Sequence, residues 1–131
     1  MKDQKNIREI LAKAHEKLDS ANVLFEHQQY DDAISRAYYA VFHAMTAALF
    51  FQDMVFSSHA QTIGAFNREF VKSGVFPVAF TTTIQSLFQN RQVADYGAGE
   101  AADRDTALSS LNGATAVVTA IEKYLADANA L

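Results

Sequence analysis

Residues 32–51 read DAISRAYYAVFHAMTAALFF, a stretch with almost no polar face. Ala33, Ile34, Ala37, Tyr38, Tyr39, Ala40, Val41, Phe42, Ala44, Met45, Ala47, Ala48, Leu49 and Phe50 surround a 3.6-residue turn, so a helix here must be covered on most sides. The cover comes from the rest of the chain or from a second subunit, and so little polar surface for a simple bundle edge points to more than one subunit's core and hence to a dimer. Repeated alanines let neighbouring backbones approach closely.

Upstream, Ile7, Ile10, Leu11, Ala14, Leu18, Ala21 and Phe25 recur at steps of three and four, while Arg8, Glu9, Lys13, Glu16 and Lys17 fill the other side. This is an amphipathic helix, ending near His27–Gln29, where Asp31 and Asp32 suit the cap and first turn of the next helix. Downstream, Ser58 and Gln61 have capping-box spacing and open a third helix with the stripe Ile63, Phe66, Phe70 and Val71, stopped at Gly74. Pro77 fits the first turn of a fourth helix carrying Phe80, Ile84, Leu87 and Phe88 and fading at Tyr96. A hinge at Gly97-Ala98-Gly99 leads to a last helix, with Asp103 or Asp105 at its opening and Ala107, Leu108, Leu111, Ala114, Val117, Val118, Ile121, Tyr124 and Leu125 inside. No alternating strand pattern intervenes. The expectation is one all-α domain over residues 1–131, an up-and-down bundle of four to five helices.

Composition narrows the chemistry. The 131 residues include no cysteine, which removes disulfides, thiol nucleophiles and thiolate metal sites. Eleven Lys+Arg against 15 Asp+Glu give a net charge of −4, so any nucleic-acid contact has to be local rather than spread over a cationic surface. A charged N-terminus without an apolar signal core, and no membrane-length apolar run, point to a cytoplasmic protein with no membrane contact. There is no P-loop, no nucleophile elbow and no Glu-x-x-His pair facing the core, so neither a metal nor a cofactor is expected.

Two residue sets remain as candidates. Arg36, Tyr39 and His43 share one face of the apolar helix over two turns, where an arginine fork and an imidazole could hold a phosphate and move a proton. The structural alternative is an Arg36 ion pair and a satisfied core imidazole. The second set is Arg91-Gln92-Val93-Ala94-Asp95-Tyr96, at the end of the fourth helix. Its structural alternative is an Arg91–Asp95 pair at i, i+4 with Tyr96 as a packing lid. His15 and His27 read as surface groups on the first helix, and His59 as part of an exposed first turn.

The run from Tyr30 to Ala44, with Arg-Ala-Tyr-Tyr-Ala-x-Phe-His at its centre, followed by Ser58-His59 and by Arg91–Tyr96, resembles the HEPN domain family of small prokaryotic helical proteins. The likeness covers nearly the whole chain. It implies a helical bundle, usually a homodimer, often encoded beside a minimal nucleotidyltransferase as a toxin–antitoxin pair. Many members are metal-independent ribonucleases with an arginine, four to six intervening residues and a histidine, brought together across the dimer. In that chemistry arginine holds the scissile phosphate and histidine transfers the proton.

Arg91 matches the phosphate-binding arginine, but Tyr96 stands where the pattern has histidine, and a phenol, ordinarily titrating near ~10, is a poor proton acceptor at neutral pH. Arg36 and His43 meet the loose spacing from an earlier helix. The resemblance thus implies first a dimeric module, partner of a nucleotidyltransferase, binding RNA or a nucleotide through Arg91, Arg36 and Tyr39. A ribonuclease using Arg91 with Tyr96 and Asp95, or Arg36 with His43, is the alternative, and a non-catalytic scaffold comes third.

Overall fold

The computed structural model describes residues 3–97 and 101–131, which form five helices: α1 (Gln4–Glu26), α2 (Tyr30–Phe51), α3 (His59–Phe66), α4 (Ala79–Tyr96) and α5 (Arg104–Asp127). No strand occurs among the described residues, and the expected all-α class holds.

α2 is the element the others wrap. It packs against all four other helices, and Ala33, Ala37, Ala40, Ala44, Ala47 and Ala48 have no exposed surface at all. Side chains this small bring the backbones of α1 and α5 close, so burial is gained by many short contacts rather than by a few large groups. The cover that the apolar sequence demands is therefore supplied within one chain. A second subunit is not needed to explain α2.

Local chemistry sets the ends of the helices. Asp3 caps α1, its Oδ1 accepting the N–H of Lys5 at 3.0 Å, and beyond the last helical residue Glu26 the chain turns at Gln28, whose φ is 63°. α2 begins at Tyr30, so Asp31 and Asp32 lie in its first turn and neither is its N-cap. They still face the positive end of the helix dipole. Asp31 also acts at longer range, where its Oδ1 accepts the N–H of Ala102 at 2.8 Å and fastens the approach to α5. Ser58 caps α3 through the Gln61 N–H at 3.0 Å, and Asp103 caps α5 through the Thr106 N–H at 2.8 Å.

α3 does not run as a plain α-helix to its glycine stop. Residues Asn67–Val71 continue it as a π-helical turn, closed by a bond from the Lys72 N–H to the Asn67 carbonyl at 2.7 Å, before Gly74 reverses the chain at φ 91°. Phe66, Phe70 and Phe76 stack there with ring centroids 5.2–5.8 Å apart, against Tyr124 of α5. Pro77 precedes α4 by two residues, and its carbonyl takes the Phe80 N–H at 3.0 Å.

At the far end of α4, Gly97 donates its N–H to the Val93 carbonyl at 2.7 Å, and a Cβ on Gly97 would collide with that same oxygen. Ala98 and Gly99, the rest of the expected hinge, lie outside the described residues.

Candidate functional site

α2 presents two consecutive tyrosines to the end of α4. Consecutive helical residues project about 100° apart, so Tyr38 turns wholly into the core while Tyr39 stays half-buried beside it. Arg91, on the last turns of α4, reaches both. Its Nη2 donates to the Tyr39 hydroxyl at 2.8 Å, and its Cζ lies 5.5, 5.2 and 5.9 Å from the ring centroids of Tyr38, Tyr39 and Tyr96. Its side chain is only 14% exposed.

The i, i+4 pairing of Arg91 and Asp95 is present, with Nε 2.8 Å from Asp95 Oδ2. That N–H is not aligned on the carboxylate as a hydrogen bond, and it has no directed partner although it is buried. The contact is one of charge more than of hydrogen-bond geometry, and it leaves guanidinium donors uncommitted. Tyr96 is 75% exposed and meets Arg91 only through its ring.

His59 is the residue the sequence reading missed. As the first residue of α3 it looked like part of an exposed turn, but its Nδ1 lies 2.8 Å from the Tyr38 hydroxyl and its ring stacks on Phe42 with centroids 4.2 Å apart. The available signal was the spacing of Tyr38 and Phe42, which at i, i+4 make an aromatic ledge on one helix face. Burial, helped by the nearby Arg91 charge, pulls the His59 imidazole below its ordinary value. Burial also pushes the Tyr38 phenol up to about 12, against the opposing pull of Arg91. Both groups are therefore neutral at neutral pH. The Tyr38 bond holds the imidazole through Nδ1 and leaves Nε2 facing no hydrogen-bond partner among the described residues.

Arg36 and His43 come together as their spacing predicted. With Lys17, Ser35, Tyr39 and Phe42 they line a groove of about 480 Å³ between α1 and α2. His43 is half-buried there and is pulled below its ordinary value by burial and then by Lys13 and Lys17. Tyr39 belongs to both candidate sets, since its ring walls the groove while its hydroxyl holds Arg91. Elsewhere, His15 pairs with Glu122 at 3.1 Å and His27 ends α1 in an exposed position.

Among the described residues no group of three or more His, Asp or Glu could hold a metal ion, and no helix is long and apolar enough to cross a membrane.

Comparison with known proteins fits this geometry. The HEPN domain model matches residues 7–124. A UPF0332 protein of Thermotoga maritima is 32% identical over 115 residues, covering 88% of this chain and 87% of its own. A candidate toxin of Methanocaldococcus jannaschii is 34% identical over 93 residues, covering 71% and 69%. The crystal structure of TT1696 from Thermus thermophilus shares the fold, with a TM-score of 0.75 and 19% identity over 89% of this chain and 96% of that one. Matched by one family model from Ile7, the first core isoleucine, to Tyr124, this helical bundle belongs to the HEPN domain family.

Proposed function

We propose that this chain is a module of a toxin–antitoxin-type pair that binds a phosphate-bearing ligand, RNA or a nucleotide, at Arg91, and that its partner is a minimal nucleotidyltransferase. The observation that carries the binding reading is the mounting of Arg91. Its guanidinium is held by the Tyr39 hydroxyl among aromatic rings, with the Asp95 carboxylate offsetting its charge, so its orientation is set before a ligand arrives and donors remain for a phosphate. The toxin name of a relative supports the pairing. Dimerisation and a cytoplasmic setting go with the family resemblance; the apolar α2 does not argue for a dimer, being covered within the chain.

Binding ranks ahead of catalysis because Tyr96 replaces the family's histidine. One observation favours a second reading, a metal-independent endoribonuclease: His59 brings a neutral imidazole to the same site. There, in the tautomer whose Nδ1–H donates to the Tyr38 oxygen, Nε2 would accept the ribose 2′-hydroxyl proton as the 2′-oxygen attacks phosphorus, Arg91 would take the developing charge, and the 5′-oxygen would leave with a proton from water, giving a 2′,3′-cyclic phosphate and a 5′-hydroxyl.

Labelled RNA incubated with the wild type, Arg91→Ala and His59→Ala separates these readings. Binding without cleavage, lost in Arg91→Ala, is the expected result. Cleavage that disappears in His59→Ala would replace it with the second reading, and unchanged binding in Arg91→Ala would remove Arg91 from the site. Co-expression with a neighbouring nucleotidyltransferase should give a stable co-purified complex, and light scattering should give twice the 14.4 kDa chain mass for the module alone.

A further inference from the structure

The groove between α1 and α2 has the character of a second ligand subsite. Lys13 and Lys17 stand one turn apart on α1, and Arg36 lines the groove from α2 along with His43, so that three cations make a positive spot on a chain of net charge −4. No carboxylate among the described residues pairs with Lys13, Lys17 or Arg36. Unneutralised cations gathered on an acidic protein raise the local concentration of anions.

Two walls of the groove are aromatic. Tyr39 and Phe42 give the groove apolar ring surface against which an unstacked base can pack, an interaction that tolerates any base. The same two residues also bound the Arg91 site, Tyr39 through its hydroxyl bond to Arg91 and Phe42 through its stacked contact with His59. Groove and Arg91 site are thus two sides of one wall. The volume of about 480 Å³ falls within the range of small-ligand pockets, ~300–1,000 Å³.

We infer that the groove of Lys17, Arg36, Tyr39, Phe42 and His43 takes the nucleotide next to the one held at Arg91, so that the preferred ligand is a single-stranded RNA segment bridging two subsites rather than a mononucleotide. This deepens, and rests on, the binding reading above. A duplex keeps its bases stacked on each other, so it does not present the free base faces that Tyr39 and Phe42 receive. A mononucleotide fills one subsite only.

The test compares a fluorescein-labelled single-stranded pentaribonucleotide with AMP, each titrated against the wild type, Arg91→Ala and the double variant Lys17→Ala/Arg36→Ala. Both altered groove residues keep solvent contact, and thermal unfolding of the variant checks that it folds. The double variant should bind the pentamer at least tenfold more weakly, with a salt slope about 1.4 smaller for two lost phosphate contacts, and should lose less affinity for AMP than for the pentamer. Arg91→Ala should weaken both ligands. Unchanged pentamer affinity and slope in the double variant, with loss in Arg91→Ala, would overturn the groove and leave the Arg91 reading standing. Loss in the double variant alone would overturn the Arg91 reading, and a wild type that binds neither ligand would overturn both.

Discussion

The Arg91 guanidinium donates to the Tyr39 hydroxyl across 2.8 Å, joining the end of α4 to the middle of α2 over 52 residues of sequence. Tyr39→Phe removes only that acceptor. A hydrogen bond to a charged donor contributes about 1.5–3 kcal/mol, so urea unfolding should show a loss near the lower end of that range, about 1.5–2 kcal/mol. Because the bond also orients the guanidinium, affinity for a phosphate ligand should fall several-fold. Unchanged affinity with reduced stability would reduce Tyr39 to a structural support.

The packing of α2 predicts a sharp asymmetry between alanines. Ala44 is fully buried where α2 is surrounded, whereas Ala12 lies on the exposed side of α1. Ala44→Leu forces three extra carbons into a filled core and should cost about 1–3 kcal/mol or more, lowering Tm by several degrees. Ala12→Leu should stay within about 0.5 kcal/mol. Equal effects at the two positions would mean that α2 is not the covered centre of the bundle.

Most of the helical frame could be read from single residues because its signals are local. Ser58 with Gln61, Gly74 at a left-handed turn and Asp103 before α5 act within four residues of where they stand. The Arg91–Asp95 pair was legible for the same reason, being fixed by helical spacing. What could not be read depends on contacts distant in sequence. His59 enters the site only because α3 docks on the Tyr38–Phe42 ledge, and Asp31 fastens the approach to α5 besides standing in the first turn of its own helix. The apolar second helix points in sequence to a partner's cover, whereas its own chain supplies it, because periodicity reports that a face is buried and not what buries it.

Stability should respond to pH through two histidines. His59 and His43 are both held below the ordinary histidine value, each mainly by burial, with Arg91 adding to the first and Lys13 and Lys17 to the second. Below about pH 6.5 the unfolded chain takes up protons that the folded chain resists. Stability is thus full above that point and falls as the pH drops through the histidine range. Urea midpoints should be lower at pH 5.5 than at pH 7.5, and a His43→Gln/His59→Gln variant should lose part of that difference. A midpoint that rises on acidification by an amount this variant abolishes would contradict the assigned burial.

Asp95 provides the most direct test of what Arg91 is for. Its carboxylate lies 2.8 Å from Arg91 Nε without forming an aligned hydrogen bond, so it offsets the arginine's charge more than it aims the side chain. Orientation comes instead from Tyr39 and the surrounding rings. Asp95→Asn keeps the shape and removes the charge. The helix should lose only about 0.3–0.5 kcal/mol, the usual value of an i, i+4 pair, while Arg91 becomes a stronger phosphate ligand. Fluorescence anisotropy with a short labelled RNA should show tighter binding by about threefold or more, with a steeper salt dependence. Weaker binding in Asp95→Asn would instead make the carboxylate the group that positions Arg91, and the ion pair part of the site's working geometry.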